Sequence, residues 1–406
     1  MNQLTILVLL LATVFPAAGQ DPSCDLLAER LSSPPPLAGV LTATFCREAV
    51  AKKWIVAGDL ESVQTPEDFR QLLQKRTGKN LLDIGQSMFE SFESASASLP
   101  GASGWVVRDT AHYRFFVRPG SAAANDLDII AAEAERSRAG LAGDFALESA
   151  LAASEAVIST FTPPTDPAGG PRPGARRRLP LELPGGAGTL EPSRRIAVFL
   201  YPNRADAKGG RIGRNSMGST LFGATIEGGK GRLGVAIQVL YYNLFSVAVV
   251  EHEIAHATVM LAAFDPAAID LPLAGEKELR KAFLAGYRKL PGFLSEGVGD
   301  YGLYYAGFYK AWGLLGSPES MAASLRRGGS LPPLEGLLRG GAKMHARGHK
   351  TFSLAASTFL RYLLQTQKRE AVRDWLFAGA SSDELPKYFG MSAADAERAW
   401  GAWLEK

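Results

Sequence analysis

Val249-Val-Glu-His-Glu-Ile-Ala-His-Ala257 holds, in His252, Glu253, Ile254, Ala255 and His256, the pattern H-E-x-x-H. The run around it, Tyr241 to Ala263, has no glycine or proline and is rich in leucine, valine, alanine and phenylalanine. That composition predicts a buried helix. Residues four apart lie one above the other on a helical face, so His252 and His256 can offer both imidazoles to one ion, at the ~2.0–2.1 Å usual for zinc. Glu253 lies about 100° round the axis, near enough to reach a water beside the ion without being a ligand. Two metal ligands and a general base are therefore expected on one helix. Coincidence is the competing reading, and it sits poorly with a chain that has only five histidines in 406 residues.

Zinc usually takes a third protein ligand, and Leu290-Pro-Gly-Phe-Leu-Ser-Glu-Gly-Val-Gly-Asp-Tyr301 supplies a candidate. Pro291 suits the first turn of a helix, which puts Glu296 and Asp300 four apart on one face. Like charges at that spacing repel, and a cation beside them reverses the sign. Gly297, Gly299 and Gly302 each cost a helix roughly 0.8–1 kcal/mol relative to alanine. That cost makes sense where the backbone must approach the histidine helix closely. The bland alternative is a fraying, glycine-rich surface helix.

Together, HEIAH and LPGFLSEGVGDY resemble the gluzincin, or peptidase MA-like, zinc metallopeptidases, in which the third ligand is a glutamate of an E-x-x-x-D or W-L-x-E-G segment. The resemblance implies Glu296 as third ligand, Glu253 as base, and Asp300 as the carboxylate that orients a ligating histidine. The interval from His256 to Glu296 is longer than in the thermolysin-like and aminopeptidase branches, so neither branch is implied. The broader likeness runs from about Trp105 to the C-terminus. It also implies an oxyanion donor, for which Tyr304, His345 and His349 are unranked candidates. In such enzymes the strand just ahead of the histidine helix is an edge that pairs with substrate, which points here to Leu233–Leu240. Gly223-Ala-Thr-Ile-Glu-Gly228 matches the aminopeptidase exopeptidase motif too poorly to give Glu227 an amine-binding role.

Elsewhere the chain is less specific. Leu4 to Phe15 is an apolar run too short to span a bilayer, and Pro16-Ala-Ala-Gly-Gln20 offers small residues for cleavage, so residues 1–19 read as a secretory signal peptide without a Lys or Arg ahead of the run. The Asp-Pro-Ser ahead of Cys24 is not a lipoprotein site. No integral membrane segment is expected after cleavage. Cys24 and Cys46 are the only two cysteines, and in an oxidising compartment the pair predicts a disulfide. Residues 20–104 read as mostly helical (Asp25–Leu31, Ala38–Val56, Thr65–Ala97) with a small-residue linker ending at Gly104. His112 to Arg118 alternates as a strand, in which His112 reads as structural, and Asn125 to about Thr160 reads as one long helix. Phe161 to Pro192, rich in proline, glycine and arginine, reads as an insertion. Arg195–Tyr201, Thr220–Ile226 and Leu233–Leu240 read as strands, and several helices follow the metal segment. The glycines around His345 and His349 point to a loop there, which argues against a second metal site.

The formal net charge of +3 is too small to imply nucleic acid or an anionic membrane as partner. The expectation is an α+β, two-lobed domain over residues 105–406: a small mixed sheet with the zinc helix, then a helical C-terminal lobe, preceded by a mostly helical region. It would be a secreted or periplasmic peptidase with one zinc ion per chain, acting on a peptide or protein substrate. A non-catalytic protein stapled by zinc is the rival from another class, and hydrolysis of a non-peptide amide is the enzymatic rival.

Overall fold

The structure, a computed structural model, describes residues 22–31, 36–79, 84, 87, 104–162, 189–191, 193–207, 212, 216–287, 292–304 and 317–406; for some of these, 340–350 among them, only the backbone is described. The expected signal peptide, most of the 161–192 insertion and the 91–103 linker lie outside them. The chain divides into two compact units, residues 1–90 with 310–316, and residues 91–309 with 317–406.

In the first unit, α1 (Pro22–Leu31) and α2 (Pro36–Ala51) are joined by a disulfide between Cys24 and Cys46, with Cα atoms 5.5 Å apart and both cysteines fully buried. Such a bond fits an oxidising, extracellular-type compartment. α3 (Pro66–Thr77) begins at the expected Thr65: its hydroxyl accepts from the Asp68 N–H, and the Asp68 carboxylate accepts from the Thr65 N–H. This reciprocal cap satisfies two orphan donors. Gly78, in the left-handed region at φ 65°, ends the helix well short of the expected Ala97.

The second unit is built on a five-stranded mixed sheet of β1 (Val106–Asp109), β2 (Tyr113–Val117), β5 (Ile196–Tyr201), β7 (Lys230–Leu240) and β6 (Gly218–Glu227), in that spatial order. β2, β5 and β7 are mutually parallel, with β1 and β6 antiparallel at the two edges. All of β5 is buried, as befits a parallel strand covered on both faces. A separate pair, β3 (Thr160–Thr162) and β4 (Thr189–Glu191), closes the base of the insertion.

Two expectations are corrected here. Leu233–Leu240 is not the edge. It belongs to β7, which pairs on both sides, and its near-continuous apolar run marks an interior strand. The edge beside it is β6, a mixture of buried and half-buried residues, joined to β7 by a two-residue turn with Gly228 and Gly229 at φ 58° and 77°. Nor is the stretch after Asn125 one helix. It forms α5 (Leu127–Asp144) and α6 (Glu148–Glu155), with a one-turn α4 (Ala122–Asn125) just ahead of them. α5 stops because Ala146 adopts φ 49°, while Leu147 N–H reaches Ala142 O at 2.8 Å and Ala146 N–H reaches Gly143 O at 3.3 Å. This is a Schellman ending with alanine where glycine is usual, fastened by buried Phe145 and Leu147.

α7 (Val247–Ala262) packs on the β6–β7 side of the sheet, flanked by α5 and α6, and α9 (Gly292–Gly302) packs across it. Leu244–Ala262 is long and apolar enough to cross a membrane by length and composition, but 78% of it is buried inside the protein. Between them comes α8 (Glu276–Gly286), and afterwards α10 (Pro318–Arg327), α11 (Leu334–Thr366), α12 (Arg369–Phe377), α13 (Leu385–Phe389) and α14 (Ala393–Leu404). α11 overturns the expected loop at His345 and His349, which lie within its 33 residues. Buried Leu334 and Leu337 anchor one end, and Ala355, Ala356, Phe359 and Leu363 the other. Tertiary packing of this kind outweighs the helix penalty of glycines between the anchors. The opposite face of the sheet carries an aromatic layer in which Phe116 and Phe199 stack at 4.8 Å, with Trp105 edge-on to both.

Asp126, nearly buried at the start of α5, accepts a hydrogen bond from the Tyr241 hydroxyl at 2.9 Å. Burial pushes its carboxyl up to about 6, against the pull of the tyrosine. A carboxyl raised in the folded state gives most stability when protonated, and loses it as pH rises from about 4 through about 6. Asp126→Asn can keep the tyrosine contact without a charge. It is expected to stabilise the fold by up to about 3 kcal/mol near pH 8 and negligibly near pH 4. Denaturant unfolding at the two pH values checks this, and equal effects at both would show that charge burial is not the cause.

Candidate metal centre

Three successive residues of α7, each about 100° round the axis from the last, face three different neighbours. Glu251 turns to α5, His252 to α9 and Glu253 to β6. Glu251 is fully buried, and its two oxygens find no hydrogen-bond partner among the described residues. Burial drives its carboxyl well above the usual range, and Glu133 adds to this. The geometry assigns it no chemistry.

His252, His256 and Glu296 offer ligand atoms that all lie within 4.8 Å of one another. The two Nε2 atoms are 2.9 Å apart, and His252 Nε2 is 3.6 Å from Glu296 Oε2. His252 Nδ1 lies 3.0 Å from Asp300 Oδ1, and His256 Nδ1 lies 3.2 Å from Ser295 Oγ. A carboxylate only accepts, so His252 carries its proton on Nδ1. The Ser295 hydroxyl can donate to His256 Nδ1 or accept from it. The two Nε2 atoms therefore meet across 2.9 Å either through a proton carried by one of them or through a cation bound by both. Burial pulls His252 down, but the Asp300 and Glu296 hydrogen bonds outweigh it and raise the group well above its ordinary value. Burial and the His252 charge push His256 down to about 3. A metal ion bound by both nitrogens would take the place of that proton.

Two imidazole nitrogens and a carboxylate oxygen are the donor set of catalytic zinc sites, where donors about 2.0–2.1 Å from the metal stand roughly 3.3 Å apart. The separations of 2.9 and 3.6 Å straddle that value, so the residues fit the ion with small adjustments. The side chains of His252 and Glu296 remain 19% and 23% exposed, which leaves the centre reachable from solvent. Asp300, one turn from Glu296 on α9, fixes the His252 ring. Asp300→Ala is therefore expected to weaken zinc affinity by roughly 10–100-fold without unfolding the protein. Competition with a chelator of known affinity measures it, and an unchanged affinity would return Asp300 to a purely structural role.

Glycines make this approach possible. A Cβ on Gly299 would lie 2.5 Å from His252 Cε1, one on Gly302 would lie 2.8 Å from Ala255 Cβ, and one on Gly297 would lie 2.5 Å from Ala356 Cβ of α11. α9 is thus squeezed between α7 and α11, with Glu296 and Asp300 held at fixed depth.

Glu253 is 7% exposed and lies outside the ligand set. Thr220 Oγ1 of β6 is 2.7 Å from its Oε2 and 3.0 Å from its main-chain O. Burial raises its carboxyl, Glu296 adds to the rise, and the His252 charge and the Thr220 bond oppose it.

Tyr304 follows α9, its ring 4.1 Å beneath the Arg361 guanidinium and against Tyr301. His345 and His349 lie one turn apart in α11, with side chains outside the described residues. His112 is engaged by Glu135 of α5, Nδ1 to Oε2 at 2.6 Å, which ties the start of β2 to that helix. Glu227 accepts from Ser159 Oγ at 2.9 Å. Sequence reasoning missed Ser295 and Thr220. Ser295 had a signal in its place beside Glu296, whereas nothing local marks Thr220. Comparison with protein-family models, curated proteins and solved structures finds no match to this chain.

Proposed function

We propose that this chain is an exported, zinc-dependent peptidase of the gluzincin kind, its catalytic domain carried by residues 105–406. The observation that supports this best is Glu253: a buried carboxyl held beside the ligand triad yet not part of it. A zinc staple needs ligands and no free base. Three donors with a solvent-reachable face also suit catalysis, since structural zinc sites are usually closed by four protein ligands. The disulfide supports export.

When bound, zinc supplies Lewis acidity to a carbonyl and lowers the pKa of water. Asp300 and Ser295 hold the two imidazoles with their Nε2 atoms facing inward. Glu253 takes the proton of the attacking water and hands it to the leaving amide nitrogen. A carboxyl raised by burial suits both halves of that shuttle. An extended peptide would pair with the outer edge of β6, where main-chain bonds give affinity and side chains selectivity.

The test is a mixture of peptides incubated with zinc-loaded protein and read by mass spectrometry. New peptide termini that vanish with a zinc chelator are expected. Intact peptides at full zinc occupancy would favour the non-catalytic staple.

A further inference from the structure

Gly218 and Thr220 are successive same-face residues of the edge strand β6, and both address one side chain on the neighbouring helix. Thr220 Oγ1 lies 2.7 Å from Glu253 Oε2. A Cβ on Gly218 would fall 2.5 Å from Glu253 Oε1, 2.8 Å from its Cγ and 2.8 Å from Val249 Cγ1. The strand therefore binds one oxygen of the carboxylate and, by lacking a side chain, gives room to the other.

Building on the peptidase reading above, we propose that Gly218 and Thr220 are positioning residues that hold Glu253 in a single working orientation, with Oε2 as the anchored oxygen and Oε1 as the oxygen that carries the proton. A glutamate side chain has three rotatable bonds, and burial alone does not select among its staggered forms. The hydroxyl of Thr220 has one proton to give, and an ionised Oε2 is a stronger acceptor than the main-chain O beside it. Anchoring Oε2 leaves the lone pairs of Oε1 uncommitted. The water's O–H bond breaks toward Oε1 while its oxygen adds to the carbonyl carbon. The same proton then passes from Oε1 to the amide nitrogen as the C–N bond breaks, so the carboxylate is regenerated. Holding the base at reacting distance before substrate arrives is the kind of preorganisation that raises kcat rather than binding. β6 thereby serves twice, since the edge proposed above to receive the substrate backbone is also the strand that aims the base.

The experiment compares full-length, zinc-loaded wild type with Thr220→Val, Thr220→Ser and Gly218→Ala, using a quenched-fluorescent peptide taken from the mixture digest. Wild-type cleavage of that peptide tests the peptidase reading by itself. Given cleavage, Thr220→Val should lose about 10- to 100-fold in kcat, the range of a hydrogen bond to a charged group, with KM and zinc content unchanged. Thr220→Ser, which keeps the hydroxyl, should restore most of the rate. In a Glu253→Gln background, Thr220→Val should cost nothing more, because the group it serves is already disabled. A readout independent of turnover is the crystal structure of Thr220→Val, in which the Glu253 carboxylate should leave its single position. Gly218→Ala tests the other contact should Thr220→Val not fold: its methyl group should displace Oε1 and lower kcat while zinc is retained. Wild-type kcat in Thr220→Val or Gly218→Ala, a serine variant as impaired as the valine one, a further loss on top of Glu253→Gln, or an undisturbed Glu253 in the Thr220→Val structure would each overturn the proposal.

Discussion

Glu253→Gln is expected to bind one zinc ion per chain and to fold as wild type does, yet to lose peptide hydrolysis by about 10²–10⁴-fold in kcat, the usual contribution of a positioned base. The substitution is nearly isosteric, and the amide oxygen can still accept from Thr220 Oγ1. The buried position at 7% exposure therefore stays filled. An amide cannot take a proton from water at neutral pH, so the shuttle is the one property removed. Metal content should not change, because Glu253 is not among the donors that converge within 4.8 Å. Elemental analysis, circular dichroism and turnover on one preparation separate the three properties. Wild-type turnover would mean that another group moves the proton. Loss of zinc would mean that Glu253 is a ligand, and the reading of the site would change with it.

The histidine helix was legible because its signal is local: an uninterrupted apolar run with two histidines at a helical spacing. Glu296 and Asp300 were legible for the same reason, since four residues within one helix set their common face. What remained hidden depends on long-range pairing. Which strand forms the edge is decided by who pairs with whom, and two neighbouring apolar segments such as β6 and β7 do not carry that order in their local sequence. Thr220 meets Glu253 across 33 positions of chain, and a threonine in a strand is too common to attract notice. The break after α5 went unseen because Ala146 stands in a left-handed position that glycine normally marks. Glycine content points to a loop at His345 and His349, whereas burial at both ends of α11 carries the helix through them. Local chemistry was thus readable, and the second contact of each functional group was not, apart from Asp300, which shares a helix face with the ligand it accompanies.

The tightest constraint on the centre is steric, and it predicts a large effect from one methyl group. In Gly299→Ala the new Cβ would stand 2.5, 2.6 and 2.7 Å from Cε1, Nε2 and Nδ1 of His252, over the face of the ring. The imidazole cannot simply swing aside, because Nδ1 is held by Asp300 on the residue next to the substitution. Either the ring abandons that bond or α9 lifts from α7, and then Glu296 and Asp300 move with it. Both routes spoil the donor set. Zinc affinity is therefore expected to fall on the order of 100-fold, at the upper end of what losing a ligand's hydrogen-bonded partner costs, with about 1–3 kcal/mol of stability lost to overpacking. Gly297→Ala is the control, since its methyl group would meet Ala356 of α11 instead, 2.5 Å away. It should cost comparable stability and much less affinity. Chelator competition and denaturant unfolding on both variants decide the matter. A Gly299→Ala protein that binds zinc as wild type does would show that α9 does not rest on the His252 ring, and would remove the basis for treating Asp300 and Glu296 as fixed partners of the centre.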